Sequence, residues 1–118
     1  MIPAGQFRHP ITIESAPEVR SPSGASRFDW DNASVVAQRK AKIEIGDSRE
    51  VYRARQIMPE VEAVITIRGR VNVSARMRVV HADGRKWDIV GVATSDGKSP
   101  ANAEYIHLNC VQGVRPGA

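Results

Sequence analysis

Residues 46–70 constrain the fold more than any other stretch of this chain. Asp47 stands where a helix N-cap belongs, with Glu50 three residues on, a capping-box spacing. The spacing predicts a helix from about Ser48 to Met58, with Val51, Ala54 and Met58 on one narrow apolar stripe and Arg49, Arg53 and Gln56 facing outward. Pro59 stops that helix, because it lacks an amide donor and disfavours helical geometry at Met58. From Glu60 to Arg68 the chain alternates instead: Val61, Ala63, Ile65 and Ile67 point one way, and Glu60, Glu62, Thr66 and Arg68 the other. The stretch carries no nucleophile–base pair, no metal-ligand set and no phosphate loop. Strong local specification without chemistry points to a part that fits other parts.

The rest of the chain reads mainly as short strands. Phe7 to Glu14 places Ile11 and Ile13 on one face. Ser34 to Ile45 places Val35, Ala37, Ala41, Ile43 and Ile45 together, with Arg39 interrupting them. Met77 to His81 and Lys86 to Val92 flank Ala82–Arg85, whose Asp-Gly pair suits a tight hairpin turn. Tyr105 to Val111 is the last strand, with Ile106, Leu108 and Cys110 inward. Residues 15–33 differ: Pro17, Pro22, Gly24 and several serines break any period, and a loop of that length in a small domain is commonly functional or disordered. Phe28 and Trp30, near its end, are placed to anchor it to the body of the domain. Residues 113–118 read as a frayed tail. The expected architecture is a single domain over residues 1–118, mainly β, with about six short strands and one short helix. Strands of this length suit a small barrel or a compact sandwich.

Charge and composition narrow the function classes. The chain has a formal net charge of +4. Residues 39–86 hold twelve Lys/Arg and six Asp/Glu, leaving five and seven elsewhere, so the basic half is interleaved with acids and has no block of like charge. A solvated, mildly basic surface fits this pattern, and so does a surface that phosphates pass. Aromatics make up 5% of the residues, so the core should be mainly Val, Ile, Ala and Leu. No apolar run reaches the roughly 20 residues of a membrane-spanning helix. The N-terminal residues lack a charged region followed by a long apolar stretch, so no signal peptide is expected. Cys110 is the only cysteine and suggests a reducing compartment.

The candidates for chemistry are weak. His9, His81 and His107 are scattered, and His107 and Cys110 would face opposite sides of a strand, poorly placed to share a metal. Asp29 and Asp31 flank Trp30 in a polar loop and read as turn residues rather than an acid–base pair. Gly69 and Gly91, isolated near or within strands, suggest a bulge or a close backbone approach. Tyr52 with Arg49, Arg53 and Arg55 is the nearest approach to an aromatic–basic nucleic-acid platform. Catalytic, cofactor and metal sites are therefore not expected, and neither is an enzyme.

The chain as a whole resembles the phage head–tail joining proteins, also called head closure, stopper or adaptor proteins. The resemblance rests on Ile2 to Arg8 followed by Ile11-Thr-Ile13, a loop with Gly24 and then Trp30, and the arginine-rich helix into a strand over Ser48 to Arg68. It continues through a hairpin with Arg78-Val79, Gly84-Arg85 and Asp88-Ile89, and a last strand with Leu108 and Cys110. Gly69 departs from the pattern, since relatives often carry a bulky residue there, and residues 93–104 are longer than in compact members. The resemblance implies a small β-barrel with one helix, present as a ring homo-oligomer in the neck of a tailed phage or a gene transfer particle, and in the host cytoplasm before assembly. It implies contacts with portal or adaptor rings on one side and tail terminator or tail tube proteins on the other. It also implies a role in gating DNA exit, with double-stranded DNA passing without sequence-specific binding. Arg20, Ser23, Gly24 and Arg27 in the long loop then become candidates for the channel or a neighbouring ring. Arg49, Arg53, Arg55, Glu60, Glu62 and Arg68 become candidates for subunit contacts. The alternative is a small β-barrel module that binds nucleic acid non-specifically.

Overall fold

The computed structural model describes residues 4–20, 22, 24, 26–46, 48–94, 97 and 99–112. Asp47, Ser23 and the tail 113–118 therefore lie outside the described residues. Six strands close into an antiparallel barrel in the order β1 (His9–Ser15), β4 (Ser34–Ile45), β5 (Ala63–Arg68), β8 (Tyr105–Gln112), β7 (Lys86–Thr94) and β6 (Arg78–His81). Two further short strands, β2 (Glu18–Arg20) and β3 (Ser26–Phe28), form a separate hairpin inside the long segment after β1. That segment was expected to lack regular structure. One helix, α1 (Arg49–Arg55), links β4 to β5.

Every neighbouring pair in the barrel is antiparallel, which sorts the connections by end. The β2–β3 hairpin and the connections 69–77 and 95–104 leave one end. The α1 crossover and the β6–β7 turn leave the other. At that turn Gly84 takes φ +97° and the His81 amide donates to the Arg85 carbonyl at 2.8 Å, the tight Asp-Gly hairpin the residues predict.

The interior is largely aliphatic. Ile11, Ile13, Ala41, Ile65, Ile67, Val79, Ile89, Ile106, Leu108 and Cys110 fill it, with Trp87 among them. Val71 and Val73, in a connection that carries no element signal, are buried against the same core at the hairpin end. Gly69 sits there too. A Cβ built on it would lie 1.6 Å from the Ala103 carbonyl oxygen, and its amide donates to the Glu104 carbonyl at 2.6 Å. The close backbone approach excludes any larger side chain at this position.

Two bulges revise the expected faces. Ile13 pairs with Ala37 and Glu14 with Val35, which leaves Val36 as the extra residue of β4. Val36 packs on the core, and Val35, expected inside, is 58% exposed. Ile45 is exposed as well, beyond the last residue that β1 covers. In β7, Ile89 pairs with Cys110 and Gly91 with Asn109, so Val90 is extra. Val90 and Gly91 thus both reach the outer surface, where the helix lies.

That helix differs from expectation in two respects. Ser48 is its N-cap, its hydroxyl accepting from the Val51 amide at 3.2 Å, so the cap falls one residue later than predicted; Asp47 itself lies outside the described residues. The helix ends at Arg55, and a turn carries the chain to Met58. Val51, Ala54 and Met58 do form one stripe, but it does not enter the barrel. With Val61, Val64 and Val90 they make a second, smaller core on the barrel's outer wall. Val61 lies in the turn before β5, not in the strand. Strand β5 is consequently buried on both faces: Ala63, Ile65 and Ile67 inside, Val64 under the helix, and Thr66 bonded to His107 Nδ1 at 3.0 Å.

Candidate assembly surfaces

The β2–β3 hairpin presents Arg20, Gly24 and Arg27, all exposed. Its register sets Glu18 opposite Phe28, Val19 opposite Arg27 and Arg20 opposite Ser26. Gly24 has φ +87°, a conformation that favours glycine at a turn. A lone two-stranded hairpin is marginal in water, so its geometry depends on how its base is held. Glu14, Arg78 and Trp30 hold it. Arg78 Nε donates to Glu14 Oε1 at 2.8 Å, and the Arg78 guanidinium lies 4.4 Å from the Trp30 ring centroid. Phe28 packs near Trp30, the Asp29 amide donates to the Pro17 carbonyl at 2.9 Å, and Arg76 pairs with Glu18 at 3.8 Å. The anchoring role read for Trp30 thus has a partner that sequence spacing could not supply, since Arg78 lies 64 residues from Glu14. Asp29 Oδ2 accepts from Asn32 Nδ2 at 2.6 Å and closes the short turn Trp30–Asn32, consistent with its reading as a turn residue.

The second surface surrounds α1. Arg49 and Arg53 are exposed, and Arg53 pairs with Glu50 at 3.7 Å. Arg55 donates from Nε to the Val61 carbonyl at 2.8 Å, so its guanidinium ties the crossover together even though the side chain is exposed. Glu60 and Glu62 are exposed on the turn into β5. Arg68 stands apart from them, about 16 Å further along β5 at the usual rise per residue. It lies 5.5 Å from the Phe7 ring, which in turn stacks on Tyr105 at 6.0 Å. The six residues read as contact candidates therefore do not form one patch. Four of them, Arg49, Arg53, Glu60 and Glu62, are exposed around α1, with Arg53 also within reach of Glu50.

The titratable groups elsewhere serve the fold. His81 is buried and its Nε2 lies 3.2 Å from His9 Nδ1, a pairing across β1 and β6 that brings together two of the histidines scattered in the sequence. The Asp83 amide and the Asp83 carboxylate both meet His81 Nδ1. The Arg85 backbone amide, followed by its guanidinium, holds the Asp83 carboxyl below its ordinary value. Burial pushes the Cys110 thiol far up, with a smaller contribution from Asp88, so it is a poor nucleophile and a poor ligand. His107 and Cys110 do fall on opposite faces, as the spacing predicts. Among the described residues, no group of three His, Cys, Asp or Glu side chains is placed to hold a metal ion, and no helix is long and apolar enough to cross a membrane.

What the geometry offers is a closed barrel with two differently built protrusions and a buried, unreactive thiol. Comparison with known proteins agrees with a part made for assembly. No curated protein matches the sequence. The profile of the phage head completion proteins matches residues 2–113, nearly the full length. The chain belongs to the phage head completion protein family and is a structural protein of the phage head.

Proposed function

We propose that this chain forms a ring at the neck of a tailed phage or a phage-like particle, joins the portal side to the tail side, and controls the exit of packaged DNA. The observation that carries the reading is the arrangement of the two crossovers. Closure pairs every barrel strand with two neighbours, although the Ser34–Ala41 stretch of β4 pairs with β1 alone, so lateral and axial contacts fall mainly to side chains on the wall and to what protrudes from it. The α1 crossover protrudes at one end and the β2–β3 hairpin at the other. The hairpin is held at its base by Glu14, Arg78 and Trp30 and carries Arg20 and Arg27 in the open. Two arginines per subunit can touch phosphate oxygens as DNA passes without binding it as tightly as a continuous basic lining would. On this reading the hairpin, with Ser23 and Gly24 near its tip, faces the channel or an adjacent ring. Arg49, Arg53, Glu60 and Glu62 make contacts between subunits or with portal, adaptor or tail proteins. The protein gathers in the host cytoplasm before joining the particle.

Shortening residues 17–27 tests this. The expected result is a folded barrel that still joins particles, while those particles leak DNA or fail to attach tails. Side-chain-resolution imaging of the neck should place the chain at the head–tail joint, and its absence there would sink the proposal. A salt titration with free duplex DNA should show no binding near physiological ionic strength. Micromolar binding with a steep salt slope would instead favour a non-specific nucleic-acid module.

A further inference from the structure

Two flanks of the barrel carry complementary chemistry, and neither is satisfied within the chain. On one flank α1 and its following turn cover the outer wall of β5, β8 and β7. Val51 and Val61 pack on Val64 and Val90, and Met58 lies where a Cβ on Gly91 would meet its sulfur at 2.8 Å, beside Asn109. The outward side of this turn shows Ile57, at 85% the most exposed of the large apolar side chains, followed by Glu60 and Glu62. No ion pair engages either glutamate among the described residues. Within the monomer Ile57 buries little of its apolar surface and the two carboxylates stay in water, so all three are available to a second surface.

The other flank is an open cleft of about 510 Å³ over β4, β1 and β6. Pro10, Thr12 and Val80 line it, with Gln38, Arg39 and Lys40 along one side. Gln38 and Lys40 share the face of Thr12 and Pro10, their partners in the register, whereas Arg39 pairs with the inward Ile11 and turns its guanidinium to the Gln38 carbonyl at 2.9 Å. Among the described residues Lys40 has no ion pair. In the closed order β1-β4-β5-β8-β7-β6, β1 and β8 are three strands apart in a ring of six, so the two flanks face in opposite directions. A head-to-tail contact that closes by rotation requires two different surfaces of this kind on one subunit.

We propose that Ile57 of one copy seats in the Pro10–Thr12–Val80 cleft of the next, with Glu60 and Glu62 meeting the Lys40 ammonium and the Gln38 amide, and that this junction repeats around the ring. The assignment rests on the ring reading given above and adds to it which surfaces meet. The apolar residue supplies the water-excluded centre and the charge pairs fix orientation, the usual division of labour at a protein interface.

Cross-linking in assembled particles tests it. Thr12→Cys and Ile57→Cys in one chain lie on opposite flanks, so a short bis-maleimide can join them only between copies. The buried Cys110 stays silent. The double variant should give a ladder of multimers on a denaturing gel, and each single variant should give none. Charge reversal supplies a second measurement should the cysteine variant fail to assemble. Glu60→Lys with Glu62→Lys, or Lys40→Glu alone, should each cut incorporation on the order of tenfold by setting like charges face to face. All three changes in one chain should restore it. Particles that contain the double-cysteine chain but give no ladder overturn the proposal, as does incorporation indifferent to both reversals. Either result leaves the ring reading standing. Particles that lack the wild-type chain altogether overturn the ring reading, and the junction falls with it.

Discussion

The α1 crossover over 46–62 and the hairpin crossover over 16–33 each carry the chain from one barrel strand to the next, at opposite ends, and they are stabilised by different physics. The first brings its own core: Val51 and Val61 are fully buried, and the outer wall of the barrel is shaped to receive them by Val64, by the extra residue Val90 and by the bare Gly91. The second buries none of its described residues. It relies on an ion pair, a cation–π contact and a few backbone bonds at its base. Apolar burial fixes an element over its whole contact area, whereas a polar anchor fixes it only where the anchor lies. The difference fits a molecule with one rigid protrusion and one adaptable one.

The comparison is most sharply tested by placing a carboxylate in each crossover. Val51→Asp buries a charge without a partner and should cost about 3 kcal/mol or more, a large share of a small domain's stability, in a urea titration. Val19→Asp, on the hairpin, should cost less than about 0.5 kcal/mol. Similar losses would mean that the hairpin is part of the core after all. Arg78→Ala comes next, at about 2 kcal/mol, because it leaves Glu14 half-buried and alone and removes the guanidinium from Trp30. Amide exchange should rise over 16–33 and stay unchanged in α1. Exchange that rises equally in both would show that the two crossovers open together.

Gly91→Ala should cost about 1 kcal/mol, since its Cβ meets the flexible end of Met58 and the helix must shift slightly. Gly24→Ala should cost a similar amount for a different reason, its φ of +87° with nothing nearby. Their amide-exchange patterns separate the two causes: the first should loosen α1, the second only the hairpin.

The smallest effect is the pH dependence at Asp83. Its carboxyl is held below 3.8 in the folded state, so it adds stability above the unfolded value and loses that contribution as pH falls through the folded one. Asp83→Asn should therefore flatten the acid limb of the stability profile below about pH 4 and change neither crossover. Urea midpoints at neutral and acid pH check this, and an unaltered acid limb would remove Asp83 from the account.

Much of this was legible from local pattern. The alternation of Ala63, Ile65 and Ile67, the Asp-Gly turn before Arg85, the inward set Ile106, Leu108 and Cys110, and the Val51–Ala54–Met58 stripe all follow from period two or period 3.6. The bounds of β4 agree with Ser34–Ile45 as read. The burial of Thr66, the inversion of Val35 and Val36, and the hairpin within 16–33 did not follow. An apolar stripe shows that a helix packs, not on which wall. A bulge is a mismatch between two strands and leaves no mark in either one alone. The candidate surfaces were legible only by residue type: Arg55 reads like Arg53 in sequence, yet it is the one bonded to the Val61 carbonyl.

The sequence by itself determined the element types, most of the inward faces and, through the order of its motifs, the family to which the chain belongs. Those properties depend on neighbours within a few residues or on the order of motifs along the chain. Closure of the barrel decided the rest. It put α1 outside the wall, joined Arg78 to Glu14 and Trp30, buried His81 against His9, and set the Ile57–Glu62 turn and the Pro10–Thr12–Val80 cleft on opposite flanks. Each of these depends on strands that are distant in sequence and meet only when the sheet closes.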